Sequence, residues 1–341
     1  MSAFLATYIH HLDPVIVNLP HTPLAVRWYG LAYVAGFVLG YLALLQLSKR
    51  DLYCVPPRQL SDFITAICLL GVLLGGRLGE FFFYWLPEHG LSGLWADPLW
   101  VVRVWEGGMA SHGGIIAVLI VAIYYSRKYH YPLSGICDGL AIVAPIGLFF
   151  GRLANFINGE LYGRICSPSN PIGVKFPQEL AELPTDQVQQ ALADLEQAAG
   201  APLNSLRAVS EDGQRYVESL FDTILRLTRE SESLRETLGR HLHTRYPSQL
   251  FEAVGEGLII FLVLMGLRLV WRSAPRGIFA ALFCFMYAAA RITAECFKEP
   301  DAPMWGSVTR GQYLSFIIIG LGFIFLAIAL INRKKSSHRP A

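Results

Sequence analysis

The sequence predicts an all-α polytopic membrane protein, with about seven transmembrane helices and a head region on the outer (periplasmic) face. Three observations predict it. Of 341 residues, 53% are hydrophobic and only 16% are charged, whereas about a quarter of a soluble domain is charged. Several apolar runs approach the roughly 20 residues that a helix needs to cross a bilayer. Basic residues crowd alternate loops and thin out in the loops between.

Seven spans are predicted, at 28–47, 60–85, 112–126, 136–157, 249–271, 277–297 and 311–331. The third is short, and the fourth is interrupted by Pro145 and several glycines. Loops after the first, third, fifth and seventh spans hold Lys49, Arg50, Arg58, Arg127, Lys128, Arg272, Arg276, Arg333, Lys334, Lys335 and Arg339, eleven basic residues. The short segments on the other side hold Arg27, Arg103, Lys298 and Arg310. The positive-inside rule then puts the N-terminus outside and the C-terminus in the cytoplasm.

The organisation that follows is an outer segment over 1–27, four spans over 28–157, an outer head region over 158–247, three spans over 248–331 and a basic tail over 332–341. Within the head, 178–240 is polar, with twelve acidic residues against six arginines. It reads as a solvated helical insertion that decorates the outer face. The first 27 residues carry no basic stretch followed by a long apolar core, so no cleavable signal is expected. The six cysteines are scattered without a C-x-x-C pair, which suggests neither a zinc site nor a disulfide framework. A net charge of only +2 implies no attraction for nucleic acid.

Ionisable groups inside apolar spans are expensive and mark a site by default. The most informative stretch is Gly151-Arg152-Leu153-Ala154-Asn155-Phe156-Ile157-Asn158-Gly159-Glu160-Leu161-Tyr162-Gly163-Arg164. It closes a run from Ile136 to Phe150 that is almost all apolar. Arg152 and Asn155 lie three apart and share a helix face. A guanidinium fork beside an amide suits the grip of a phosphate. Arg27-Trp28-Tyr29-Gly30 reads as an interfacial aromatic belt or as part of the site. His112, between glycine pairs at the start of a span, reads as a general base or as an interface residue. Ser248 reads as a helix cap, and Glu252 and Glu256 lie on one face of an apolar segment. Arg291 and Glu295 are spaced to pair with each other. Arg77 and Glu80 read as a structural pair.

No serine or cysteine sits in a nucleophile motif, no cluster has metal spacing, and no phosphate-binding loop of the nucleotide type occurs. A site that grips an anionic lipid, with the nucleophile arriving on a second substrate, fits these gaps. A transporter or flippase of an anionic lipid or small anion fits them as well.

These residues resemble one family, the bacterial prolipoprotein diacylglyceryl transferases. Its signature reads G-R-x-x-N-F-x-N-x-E-x-[YW]-G, matched by Gly151-Arg152, Asn155-Phe156, Asn158, Glu160 and Tyr162-Gly163. Further matches follow in family order over about 23–330: residues 27–30, 105–109 with 112–114, 247–252, 275–277, and Arg291, Glu295, Glu299-Pro300-Asp301 and Gly311-Gln312. Ala154 departs from the glycine usual at its position, and 178–240 is longer than the family leads one to expect.

The resemblance implies transfer of the sn-1,2-diacylglyceryl group of phosphatidylglycerol to the lipobox cysteine of a prolipoprotein in the bacterial inner membrane. Glycerol phosphate would leave, and no metal or cofactor is expected. Arg152 and Arg291 would clamp the phosphate. His112, with Tyr29 as helper or alternative, would activate the thiol, since the thiolate is the nucleophile. Asn155, Asn158, Glu160 and Gly163 would meet the headgroup, and Glu252 and Glu295 would hold the arginines.

Overall fold

The computed structural model describes residues 7–18, 25–97, 99–100, 103, 108–206, 219–299 and 309–337. Four helices come first: α1 (Trp28–Lys49), α2 (Pro57–Gly90), α3 (Ser111–Tyr129) and α4 (Leu133–Asn158). Three belong to the polar insertion: α5 (Thr185–Ala199), α6 (Leu220–Glu230) and α7 (Glu232–His241). Three close the chain: α8 (Ser248–Val270), α9 (Ile278–Ala294) and α10 (Arg310–Ser337).

Helices therefore stand at all seven positions where spans are predicted. Five are long and apolar enough to cross a membrane: α1, α2, α4, α8 and the Gly311–Lys334 part of α10. The other two fall short for physical reasons. Helix α9 has 17 residues, about 26 Å at 1.5 Å per residue, against an apolar layer of about 30 Å. Helix α3 opens with Ser111, His112, Gly113 and Gly114 and ends with Arg127 and Lys128, so its apolar middle is brief.

The apolar core lies toward the basic-loop ends of the helices. It joins Leu44 and Leu47 of α1, Phe63 of α2, Val121 of α3, Ile136 and Ile142 of α4, Leu264 of α8 and Phe279 of α9. Helix α10 packs along α9. Helices α2 and α3 meet backbone to backbone: a Cβ on Gly113 would collide with the Gly75 carbonyl and the Gly79 backbone. The glycine after His112 is thus a packing position, where a small residue lets two apolar helices approach.

One buried carboxylate sets the start of α9. Asp138 accepts hydrogen bonds from the backbone N–H groups of Gly277 (2.7 Å) and Ala280 (2.9 Å). Gly277 supplies the left-handed turn before the helix, at φ 102°. These first-turn N–H groups have no partner within the helix itself.

Outside the bundle, α5, α6 and α7 build a small core from Leu180, Ala191, Leu195, Leu203, Ile224, Leu234, Leu238 and Leu242. Ser219 and Ser231 cap α6 and α7 by accepting from Asp222 N (3.1 Å) and Leu234 N (3.4 Å). Two short strand pairs complete the described residues. β1 (Tyr8–Ile9) pairs in parallel with β4 (Val174–Lys175), and β2 (Val15–Asn18) pairs antiparallel with β3 (Ala25–Arg27). His10 follows β1, donates its backbone N–H to Lys175 O at 2.8 Å and is buried to 1% exposure. Its ring lies between Phe156 and Phe176, at centroid distances of 5.4 and 5.5 Å. Burial pushes the imidazole down from 6.5 to about 4.

Two expected outcomes follow. Asp138→Ala leaves two buried N–H groups unpaired, at a cost of about 1–3 kcal/mol. Thermal unfolding of the purified protein in detergent would show a lower midpoint, and an unchanged midpoint would contradict the capping role. For His10, the folded state binds the proton less readily than the unfolded chain. Its stabilising contribution is complete above pH 6.5 and is lost as pH falls toward about 4. The unfolding midpoint of the wild type would drop more over that window than that of His10→Phe. Equal drops would show that His10 does not couple folding to pH.

Candidate active site

The site begins where α4 runs out of apolar residues. Arg152, in the last turns of α4, lies beside the start of α8, where Glu252 and Glu256 are both fully buried. Its Nη1 is 3.2 Å from Glu252 Oε2 and its Nη2 is 3.6 Å from Glu256 Oε2. Arg291, near the end of α9, reaches the same two carboxylates from the other side. It pairs closely with Glu252 and stands 3.2 Å from Glu256 Oε1. It also pairs with Glu295 at 2.9 Å, one turn along its own helix. Three helices are thus joined through a ring of alternating charges, Arg152–Glu252–Arg291–Glu256. Wider π-type turns over Ala253–Ile259 follow Glu252 and carry Glu256; such turns recur at functional sites.

Hydrogen bonding within the ring is uneven. Arg291 donates to Glu252 and Glu256. Arg152 forms ion pairs but, among the described residues, no hydrogen bond. The facing oxygens, Glu252 Oε2 and Glu256 Oε2, are buried and accept none. Arg152 therefore keeps donors in reserve, and its side chain is 17% exposed against 12% for Arg291. Tyr287 of α9 lies within electrostatic reach of Glu256, Arg152 and Arg291.

A second polar group adjoins the first. Helix α4 ends in a reversal at Gly159, φ 69°. Gly159 N donates to Phe156 O (3.0 Å) and Glu160 N to Asn155 O (3.1 Å), the paired closing bonds of a glycine-terminated helix. The reversal turns the Glu160 carboxylate back onto the helix, where Oε1 accepts from Asn155 Nδ2 (2.8 Å) and Asn158 Nδ2 (3.4 Å). Asn155 also donates to the Tyr29 hydroxyl at 2.8 Å. Leu161 follows with φ 55°, an uncommon value for a residue with a side chain.

The loop is fastened from below. Gln249 donates to Glu160 O at 2.7 Å and Ser248 to Leu161 O at 3.2 Å. Ser248 is thus a tether between loop and helix rather than the expected cap, and α8 begins with no side-chain cap. Gly163 is a close-approach position: a Cβ there would lie 2.6 Å from Tyr246 O. Glu179, fully buried, fixes the head above the loop. It takes Arg245 Nη2 at 2.7 Å and His243 N at 2.9 Å, and Arg245 passes on to Gly163 O at 3.2 Å.

The structure brings together Arg152, Arg291, Glu252 and Glu295, and beside them Tyr29, Asn155, Asn158 and Glu160. Tyr29 lies within electrostatic reach of Arg152 and Glu160, which links the two groups. His112 joins neither: it is exposed in the first turn of α3. Arg77 fastens the loop that precedes it, donating to Trp100 O, Arg103 O and Gly108 O and lying 3.9 Å over the Trp100 ring. Trp105, Glu106, Gly107, Pro300 and Asp301 lie outside the described residues. Leu153, Ala154 and Ile157 of α4 face Trp28, Leu31 and Ala35 of α1 across an apolar cavity of about 160 Å³.

Sequence reasoning assigned Glu256, Gln249, Glu179 and Arg245 no part in the site. Glu256 left a signal in its four-residue spacing from Glu252, and Gln249 in the matched stretch 247–252. Glu179 and Arg245 are 66 residues apart, and nothing distinguishes Glu179 among the acidic residues of the insertion.

A family description of prolipoprotein diacylglyceryl transferase matches residues 14–328. Relatives named phosphatidylglycerol–prolipoprotein diacylglyceryl transferase are similar over nearly their whole length. One from Bdellovibrio bacteriovorus is 37% identical, covering 94% of this chain and 93% of the relative. One from Paramagnetospirillum magneticum is 34% identical, covering 96% and 97%. One from Citrobacter koseri is 33% identical, covering 98% and 99%. With the match running through the arginine ring and the glycine-closed loop alike, the chain belongs to the prolipoprotein diacylglyceryl transferase family.

Proposed function

We propose that this transferase moves the sn-1,2-diacylglyceryl group of phosphatidylglycerol onto the lipobox cysteine thiol of a prolipoprotein, and that Arg152 and Arg291 hold the phosphate while it leaves. The observation that carries the assignment of roles is the state of Arg152. It is a guanidinium fixed by two buried carboxylates, part exposed, with no hydrogen bond spent among the described residues. Such a fork matches a phosphate oxygen pair. It is also set in place before charge develops on the leaving group, which is where such donors act most strongly.

In the step proposed, sulfur attacks the sn-3 carbon of the diacylglyceryl group. The carbon–sulfur bond forms as the carbon–oxygen bond to phosphate breaks, and glycerol phosphate departs. The thiol proton passes to the imidazole of His112 and from there to the product phosphate, and Tyr29, a neutral phenol, helps as a hydrogen-bonding partner. Asn155, Asn158 and Glu160 orient the glycerol hydroxyls, Gly163 keeps the loop close enough to do so, and Glu252 and Glu295 hold the arginines. The apolar cavity between α1 and α4 supports entry of the lipid from the side, with acyl chains against Leu31 and Leu153 and the headgroup toward Tyr29.

The same reading puts all seven helices across the bacterial inner membrane, the N-terminus and the head (158–247) outside, and the basic tail in the cytoplasm. The charge asymmetry of the loops supports this orientation. The insertion at 178–240 braces the loop through Glu179 and Arg245.

The test uses purified protein in detergent with phosphatidylglycerol and a lipobox peptide carrying one cysteine. Peptide mass and released glycerol phosphate are followed together. The wild type adds a diacylglyceryl mass, a cysteine-to-serine peptide gains nothing, and Arg152→Ala slows transfer by a factor on the order of 10²–10³. Near-normal transfer by Arg152→Ala would refute the clamp. Binding of phosphatidylglycerol without any mass gain would favour a transporter of anionic lipid.

A further inference from the structure

A polar cavity lies at the other end of the bundle from the arginine ring. Asp138 precedes Arg152 on α4 by about 14 residues, about 21 Å at 1.5 Å per residue. Around Asp138, on the basic-loop side, the ends of α1, α4, α8 and α9 leave a cavity of about 160 Å³. One water needs only about 10–15 Å³ of such space. The lining includes Asp51, Tyr53, Cys54, Asp138, Arg268 and Arg276. Arg276 belongs to the family-like stretch 275–277, which has no part in the phosphate clamp.

The charges at this cavity favour an anion. Arg268 is held in place: Nε and Nη2 donate to Leu52 O at 2.9 and 2.6 Å, and Nη1 donates to Trp271 O and Arg272 O, each at 3.2 Å. Arg276 is held only by its backbone, where Asn332 of α10 donates to its carbonyl at 2.9 Å. Its side chain is exposed, and among the described residues the guanidinium makes no hydrogen bond or ion pair. Arg272 donates to Arg50 O at 3.1 Å on the same rim and lies within electrostatic reach of Arg268. Two carboxylates oppose these three cations. Asp138 is already compensated by the N–H groups of Gly277 and Ala280. Asp51 is exposed, where water and salt screen it. Tyr53 adds a buried hydroxyl without a partner among the described residues, and an unmet donor of this kind is costly.

We propose that this cavity is a second anion site, which takes the phosphate group of an anionic ligand between Arg276 and Arg268. Arg276 closes on two phosphate oxygens as a fork of donors. Arg268 supplies fixed charge behind it without giving up its carbonyls, and Asp138 stays with the first turn of α9. Basic pockets between membrane helices suit the headgroups of anionic lipids, and a soluble phosphate offers the same oxygens. The ligand joins α4, α8 and α9 at this end as the arginine ring joins them at the other. One headgroup cannot span the distance between the two sites, so the occupant here is a separate molecule from the lipid at the clamp.

The experiment follows thermal unfolding of the full-length protein in a non-ionic detergent. It uses Arg152→Ala as the background, so that binding at the clamp contributes least. Added phosphatidylglycerol is expected to raise the midpoint until the site saturates, while phosphatidylcholine, whose headgroup is neutral overall, leaves it in place. Arg276→Gln in the same background is expected to weaken the apparent affinity by about tenfold or more, as loss of a charged hydrogen bond does. Arg127→Gln removes an exposed charge from another basic loop and is expected to keep the full shift. Inorganic phosphate separates the two sources. A shift with phosphate as well as lipid assigns the site to the phosphate group as such, a shift with lipid alone assigns it to a headgroup, and either supports the proposal. No shift with phosphatidylglycerol or phosphate overturns it, whether or not Arg276→Gln folds. An undiminished shift in Arg276→Gln, or an equal loss in Arg127→Gln, also overturns it, because the cavity is then not what holds the anion.

Discussion

The constraint on which the rest of the structure depends is the burial of charge where three apolar helices converge. Neither Arg152 nor Arg291 can sit at the edge of an apolar bundle without a partner, and neither can the carboxylates of α8. Helix α8 supplies both carboxylates, and α4 and α9 each supply one arginine. Removing any member leaves the others as uncompensated buried charge, so the ring fixes the relative placement of all three helices. The apolar core nearer the basic loops is less particular. Leu44, Phe63, Ile142 and Phe279 fill space there, and such cores accept changes of similar volume.

A second layer of order stands on the ring. The glycine-closed end of α4 folds the Glu160 carboxylate back over Asn155, and the loop cannot drift because Gln249 and Ser248, on the same helix as Glu252, hold its carbonyls. Helix α8 thus anchors both the arginines and the loop beside them. Farther out, Glu179 and Arg245 tie the insertion to Gly163. Each layer is secured by side-chain bonds to backbone carbonyls or by ion pairs. This is how irregular backbone is kept in place where apolar packing gives out.

What was legible in the sequence follows from how local its cause is. Apolar runs announce helices because the length of a span is a property of consecutive residues. Arg152, Arg291, Glu252 and Glu295 stand out because charge in such runs is rare, and the pairing of Arg291 with Glu295 follows from their spacing. Partnerships across the chain are not legible in this way. Asp138 lies 139 residues before the Gly277 N–H that it caps. Ser248 looks like a cap because of its place before an apolar run, yet its hydroxyl is drawn to a carbonyl 87 residues away. Gly113 looks like part of a catalytic histidine motif, although its neighbours across the helix contact explain it.

Buried arginines by themselves do not define a site, as the other arginines of this protein make plain. Arg77 is 1% exposed and spends its donors on loop carbonyls under the Trp100 ring. Arg268 spends its donors on the carbonyls of Leu52, Trp271 and Arg272. Arg245 is divided among Glu179, Glu299 and Gly163 O. All three serve as fasteners, holding backbone or head in place with donors already committed. Arg152 differs in kind: it is oriented by ion pairs while its hydrogen-bonding capacity stays unspent among the described residues. Orientation without saturation is what a binding donor requires, since a saturated donor would have to break a bond before making one. That property, more than burial or charge, is what the proposed role of Arg152 as a donor to the phosphate rests on.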